Sequence, residues 1–152
     1  ADRAESYQDD PDFSGALVVK PLVGWAAKNV SFNNSISEIN QGSDYIVQPQ
    51  IDAPNCYRII CCQDETIAIY PKERKNLIHQ GIDSKKALRR GHRLYKPLSE
   101  MALKMIEDTP LFYTGADILV EDNTLFALEL NAVPGLPRPI DAKRLAYCLL
   151  DV

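Results

Sequence analysis

The stretch LFALELNAVPG, residues 125–135, sets a carboxylate and a carboxamide, Glu129 and Asn131, two positions apart in an otherwise apolar run. Side chains at i and i+2 of a strand project to the same side. The two oxygen-bearing groups therefore point together, while Leu128 and Leu130 point the other way. Buried without partners, such groups cost on the order of 2–7 kcal/mol each, so something is expected to meet them. The preceding run, GADILVED, carries Asp117 at a spacing that can face them. With a three-residue loop of Asp122, Asn123 and Thr124, Asp117 lies opposite Glu129 and Leu119 opposite Ala127. Asp117, Glu129 and Asn131 then share one face, and Ile118, Val120, Phe126 and Leu128 form a core stripe on the other. A two-residue loop would pair Asp117 with Leu128 and mix the faces, so the odd register is preferred.

Two carboxylates directly opposite each other repel. A hard divalent cation held by carboxylate and carboxamide oxygens removes that repulsion, and Mg²⁺ commonly takes one or two carboxylates together with phosphate oxygens. A hydrogen-bonded or solvated Asp/Glu pair at a sheet edge is the other reading of these three residues alone. Cations elsewhere favour the metal. Lys20 ends a short strand before a loop holding Gly24 and Lys28, Arg58 projects from a later strand, and Arg74 and Asn76 follow the strand after that. A lysine serves phosphate as a mobile point charge, and several cations near one acidic face suit a metal–triphosphate site. Neither G-x-x-x-x-G-K-[ST] nor G-x-G-x-x-G occurs, which excludes the P-loop and the dinucleotide fingerprint.

The elements that would position these groups read as follows. ALVVKP (16–21), VSF (30–32) and DYIVQPQI (44–51) are strands, with a short helix around Ser35–Asn40. CYRIICC (56–62) and TIAIYPK (66–72) flank QDE as an antiparallel hairpin. Residues 73–96 are basic and read as loop with some helix. KPLSEMALKMIED (96–108) spaces Leu98, Met101, Ala102, Met105 and Ile106 by three and four, an amphipathic helix. ADILVED and LFALELN form a second hairpin, and PIDAKRLAYCLLDV a C-terminal helix with Leu145, Cys148 and Leu149 inward. The class is α+β.

The composition bounds the function. The 152 residues carry a net charge of −4, with 45% hydrophobic and 25% charged residues, as in a soluble globular protein. That balance argues against a nucleic-acid or membrane-surface partner, and no apolar run reaches the roughly 18–20 residues of a membrane span. The acidic N-terminal stretch, ADRAESYQDDPDFSG, has no signal-peptide pattern. Cys56, Cys61, Cys62 and Cys148 show no C-x-x-C spacing. They suit a reducing, cytoplasmic setting, with Cys61 and Cys62 as small core residues. His79 and His92 have no partner at ligand spacing and are expected at the surface.

In order and approximate spacing from about residue 15 to 140, VVKP, YIVQPQI, RIICC, RKN, GADILVED and LELNAVPG resemble the ATP-grasp superfamily, in particular its carboxylate–amine ligases. The pattern is most like the branch that ligates glutamate or similar amino acids to a carboxylate, as in ribosomal-protein glutamylation and lysine biosynthesis. D-alanine–D-alanine ligase is similar through the closing E-x-N-x-x-P-G. The resemblance implies an ATP-grasp-like fold of two small α+β lobes with antiparallel sheets enclosing a nucleotide site. An N-terminal loop (1–14), a small lobe (15–50) and a large lobe (51–152) are expected, without the family's separate N-terminal domain. By the same resemblance Lys20 and Lys28 attend the phosphates, and the hinge Gln48, Pro49, Gln50 and Ile51 holds the adenine edge. Arg58 is the arginine of a D-x-R strand. Arg74 and Asn76 form the R-x-N motif, Asp117, Glu129 and Asn131 hold Mg²⁺ or Mn²⁺, and Pro134-Gly135 shapes the substrate pocket. Three positions depart from the family pattern. The phosphate-covering loop reads GWAAKN instead of Gly-rich, Cys56 replaces the D-x-R aspartate, and Pro49 replaces an acidic or polar hinge residue.

The implied reaction is phosphorylation of a carboxylate by ATP to an acylphosphate, which an amine, such as that of an amino acid, attacks to form an amide. Positioning and charge neutralisation carry such chemistry, and no side-chain nucleophile is needed. The expected partners are ATP, a carboxylate and an amine, with homo-oligomers allowed. A nucleotide-binding regulatory module that has lost turnover is the alternative, and a structural α+β interaction domain the third reading.

Overall fold

The computed structural model describes residues 16–21, 30–33, 45–75 and 78–150. Lys28, Asn76 and the short helix expected at 35–40 lie outside them. The chain divides into two compact units, Ala1–Asp52 and Ala53–Val152. Their elements follow from the two periodicities noted above.

In the first unit β1 (Leu17–Pro21) lies between β2 (Ser31–Asn33) and β3 (Tyr45–Pro49), all antiparallel. Alternation sorts their side chains. Leu17, Val19 and Val47 are buried. Lys20 and Gln48 fall on the other face of the β1–β3 pair, opposite Ile46 and Val18 respectively. Beyond β3 the backbone stays tied to β1, Gln50 N donating to Ala16 O at 2.7 Å.

The second unit is built on a four-stranded antiparallel sheet made of two hairpins, with the first strand of each at the centre. β4 (Asn55–Cys62) and β5 (Glu65–Pro71) form the first hairpin. β8 (Tyr113–Glu121) and β9 (Thr124–Asn131) form the second. Helix α1 (Tyr95–Ile106) covers one face. Its Leu98, Ala102 and Ile106 enter a core with Ile59, Cys61, Ile69, Ala116, Ile118 and Val120. Helix α2 (Pro139–Leu150) brings Leu145 and Cys148 onto a second cluster of Ile60, Cys62, Ile67, Ala68 and Tyr70. Among the described residues no helix is long and apolar enough to cross a membrane.

The second hairpin corrects the expected loop. The turn is two residues, Asp122 and Asn123, both at positive φ (46° and 70°), the conformation that a two-residue hairpin turn requires and that Asp and Asn tolerate. Glu121 therefore pairs with Thr124, Leu119 with Phe126 and Ile118 with Ala127. A register shift between Asp117 and Ile118 then leaves Leu128 without a partner and restores Asp117 opposite Glu129. The expected opposition stands, but a bulge produces it instead of loop length. The core stripe changes accordingly: Leu125 and Leu130, in place of Phe126 and Leu128, pack with Ile118 and Val120.

Other expectations also change. Residues 73–96 hold a small hairpin of β6 (Glu73–Lys75) and β7 (Ile78–Gln80), then a 3₁₀ turn at Ser84–Lys86. All three β6 side chains are exposed, so no alternation marked it. Leu149 is 42% exposed and does not join Leu145 and Cys148 on the core. His79 is half-buried with Nε2 3.1 Å from Ala53 O, and burial holds its imidazole below the ordinary value. His92 is exposed.

Candidate functional site

Because β4, β8 and β9 pair in register, Arg58, Asp117 and Glu129 form one row across the sheet, Arg58 opposite Asp117 and Asp117 opposite Glu129. Tyr70 extends the row on β5, opposite Arg58. Asp117 is fully buried, and Arg58 grips it bidentately, Nε to Oδ1 and Nη2 to Oδ2, both at 2.7 Å. Lys72, the residue after β5, adds a third bond, Nζ to Oδ2 at 2.5 Å. Burial pushes the Asp117 carboxyl up, but the bonds and charges of Arg58 and Lys72 outweigh it and hold the group below the usual carboxylate range. The site thus keeps a charged carboxylate in the sheet interior because two cations meet it there.

The neighbouring residues complete the row. Glu129 is exposed, its Oε1 4.0 Å from Arg58 Nη2. Asn131 Nδ2 donates to Gly115 O at 3.3 Å and lies 3.5 Å from Glu129 Oε1. With its amide nitrogen so engaged, the Asn131 oxygen remains an acceptor beside the Glu129 carboxylate. These hard oxygens fit Mg²⁺. Asp117 Oδ2 is already shared by two donors, so Asp117 has its remaining capacity on Oδ1. Its first role here is counter-ion to Arg58 and Lys72. Among the described residues no group of three or more His, Cys, Asp and Glu is placed to hold a metal.

Cys56 bears on this balance. It stands opposite Leu119 on β8, buried, and burial pushes its thiol up to about 12. The backbone N–H of Lys72 donates to its carbonyl at 2.8 Å. A neutral thiol stands here where the resemblance expects an aspartate, so Asp117 carries the buried negative charge for both cations.

Beyond Asn131 the chain turns back over the sheet. A Cβ on Gly115 would lie 2.8 Å from Pro134 Cβ and 3.4 Å from Arg58 Cδ. The absent side chain is what lets the Pro134-Gly135 turn seat beside Arg58. Tyr113 Oη donates to Pro134 O at 2.6 Å and secures the turn. Farther on, Arg138 is held bidentately by Asp141 at 2.7 Å for both bonds, lies over the Tyr70 ring at 5.4 Å, and shares Asp141 with the Tyr70 hydroxyl.

The structure therefore brings Arg58, Asp117, Glu129 and Asn131 together. Arg74 lies on exposed β6, its Nη1 3.4 Å from Ala53 O. Lys20, Gln48, Pro49, Gln50 and Ile51 belong to the first unit. Lys72 and the Arg138–Asp141–Tyr70 group were missed in the sequence. Lys72 reads as a solvated strand end, and Asp141 as an ordinary acid in a helix's first turn. The placement of Lys72 one residue past a buried strand, on the side of Tyr70, was the available signal.

No curated protein sequence matches the chain. Among solved structures, the ATP-grasp ligase PsnB complexed with minimal precursor, Mg and ADP superposes with a TM-score of 0.67 at 16% identity, covering 97% of this chain and 50% of that one. D-alanine–D-alanine ligase from Bacillus anthracis complexed with ATP gives 0.66 at 16%, covering 99% and 56%. D-cycloserine synthetase DcsG gives 0.66 at 16%, covering 97% and 59%. At these identities the likeness is one of fold, and the chain spans about half the length of the structures it matches. The family model of the RimK-like ATP-grasp domain matches residues 2–143. The chain belongs to the RimK-like ATP-grasp domain family.

Proposed function

We propose that the chain is the ATP-binding portion of a Mg²⁺- and ATP-dependent carboxylate–amine ligase. The single observation that carries this reading is the row Arg58–Asp117–Glu129, with Lys72 on the same buried carboxylate. Two cations and two anions in this row give a site that is neutral overall yet strongly polar, suited to a phosphoryl group whose charge moves during transfer. PsnB has been solved with Mg and ADP, and the Bacillus anthracis ligase with ATP, which supports the nucleotide and the metal here.

In this reading a substrate carboxylate oxygen attacks the γ-phosphorus of ATP, the bond to the β-γ bridging oxygen breaks, and ADP leaves. The amine then attacks the acyl carbon, phosphate departs, the nitrogen loses a proton, and an amide remains. Arg58 and Lys72 neutralise phosphoryl charge, and Asp117 holds both cations in place so that little reorganisation is needed. Glu129 and Asn131, together with Asp117, would supply the oxygens that hold Mg²⁺. Mg²⁺, when bound, spreads the negative charge of the phosphates. Lys20 and Lys28 attend the phosphates, Gln48, Pro49, Gln50 and Ile51 the adenine, and Arg74 with Asn76 the transferring group and substrate.

Hydroxylamine trapping on the full-length protein, with ATP, Mg²⁺ and a panel of amino-acid and peptide carboxylates, tests the reading. A hydroxamate is expected from at least one carboxylate, with trapping depressed by Lys20→Ala and Arg74→Ala. Firm ATP binding with no hydroxamate from any of them would instead assign the chain to a nucleotide-binding regulatory module.

A further inference from the structure

The segment SKKALRRGHRLYK, residues 84–96, concentrates seven Lys, Arg and His side chains in a chain of net charge −4. The proposed reaction uses none of them. Their placement is fixed by the apolar residues between them. Leu88, Leu94 and Tyr95 pack against the core under α1, and Leu88 N donates to Ile69 O at 2.9 Å. Successive turns, His92 N to Arg89 O and Tyr95 N to His92 O, both 2.9 Å, lock the backbone into the start of the helix. With the apolar residues inward, Arg89, Arg90, His92, Arg93 and Lys96 are exposed. Lys86 pairs with Asp83 and Lys96 with Glu100. Arg89, Arg90 and Arg93 have no carboxylate partner among the described residues. The result is a rigid knob that presents three guanidinium groups to solvent.

Arg90 also lines a cavity of about 410 Å³, with Tyr95, Ser99 and Leu103 from α1, Asp64 from the β4–β5 turn and Glu65 and Thr66 from the start of β5. Two of the lining residues, Thr66 and Ser99, share a hydroxyl–hydroxyl hydrogen bond of 2.6 Å. Because α1 covers the sheet face opposite Arg58 and Asp117, the knob and its cavity are separate from the row that carries the proposed chemistry.

We infer that this knob is a docking surface for an acidic polypeptide segment, whose carboxylates pair with Arg89, Arg90 and Arg93 and whose adjacent side chain enters the cavity beside Arg90. Guanidinium forks match carboxylates bidentately, and their fixed backbone lowers the ordering cost of binding. A nucleic acid fits less well. The segment holds a single aromatic residue, Tyr95, half-buried against the core, so successive bases would find no stacking platform. The mixed lining of hydroxyls, carboxylates, Tyr and Leu instead matches the varied side chains of a peptide.

The test is fluorescence anisotropy of a labelled oligo-glutamate peptide and of oligo(dT), titrated with the protein over a range of salt, with peptide-induced amide shifts followed in ¹⁵N-labelled protein. The peptide should bind more tightly than oligo(dT) and weaken with salt. Its shifts should centre on residues 64–66 and 88–96. Arg89→Glu/Arg90→Glu/Arg93→Glu should lower affinity by about tenfold or more, with its circular dichroism unchanged. A matched reversal at exposed lysines elsewhere, Lys75→Glu/Lys104→Glu/Lys143→Glu, should change it little. No binding, an equal loss in the matched variant, shifts scattered over the surface, or tighter binding of oligo(dT) would each overturn the inference. None of these readouts depends on ligase activity.

Discussion

Arg58 and Asp117, 59 residues apart in sequence, meet in register on adjacent strands through two parallel 2.7 Å hydrogen bonds. Lys72 closes on the same carboxylate, so removal of that carboxylate strands two cations in a mostly desolvated place. Asp117→Ala is expected to cost about 3–5 kcal/mol, read as a lower urea midpoint. Arg58→Met/Asp117→Leu should lie closer to wild type than the sum of its two single variants, since it leaves only Lys72, and not Arg58 as well, without the carboxylate. Additive single and double effects would show that the pair is not coupled.

Acid should loosen the second unit through the same groups. The Asp117 and Asp141 carboxyls, each pushed up by burial, are held below their ordinary value by their cationic partners, and Asp141 also by Tyr70. The unfolded chain therefore takes up these protons first as pH falls. Stability is full above the unfolded carboxylate value of about 4 and is lost progressively as pH drops toward the lower folded values. Urea midpoints measured from neutral pH downward should decline below about pH 4, and less steeply in Asp117→Asn. A midpoint that rises on acidification would contradict the assignment.

Gly115 is small for a packing reason. A methyl there meets Pro134 Cβ at 2.8 Å, closer than carbon atoms sit without displacement. Gly115→Ala should destabilise by about 1–3 kcal/mol, the usual range for overpacking, and shift the Pro134-Gly135 turn away from Arg58. Adding Pro134→Gly should recover part of the loss if the clash is its source. Equal thermal midpoints for wild type and Gly115→Ala would rule out the contact.

The legible parts of the chain were those where one period governs a long enough run. The 3–4 spacing of Leu98, Ala102 and Ile106 gave α1, and the alternation through Glu129 and Asn131 gave the polar face of β9. The opposition of Asp117 and Glu129 was legible even though its cause was not. An odd loop and an even loop with a bulge at Leu128 place those residues alike, and periodicity cannot separate them; only the fate of Phe126 and Leu128 differs. β6 escaped notice because Glu73, Arg74 and Lys75 are all exposed, leaving no burial pattern to read. Asp141 escaped for the opposite reason: an acid in a helix's first turn needs no partner beyond the helix itself, and its burial depends on Tyr70 and Arg138, which reach it only in the folded chain.

We propose that the acidic end of the Arg58–Asp117–Glu129 row holds a divalent cation that a nucleotide shares. Calorimetric titration of the protein with ATP, with and without Mg²⁺, tests it most directly when paired with Glu129→Gln. Glu129 is 47% exposed at its side chain, so the isosteric amide should leave the urea midpoint nearly unchanged. Mg²⁺ is expected to tighten ATP binding to the wild type, and Glu129→Gln to lose most of that Mg²⁺-dependent gain. Identical ATP affinities with and without Mg²⁺ for the wild type would contradict the account.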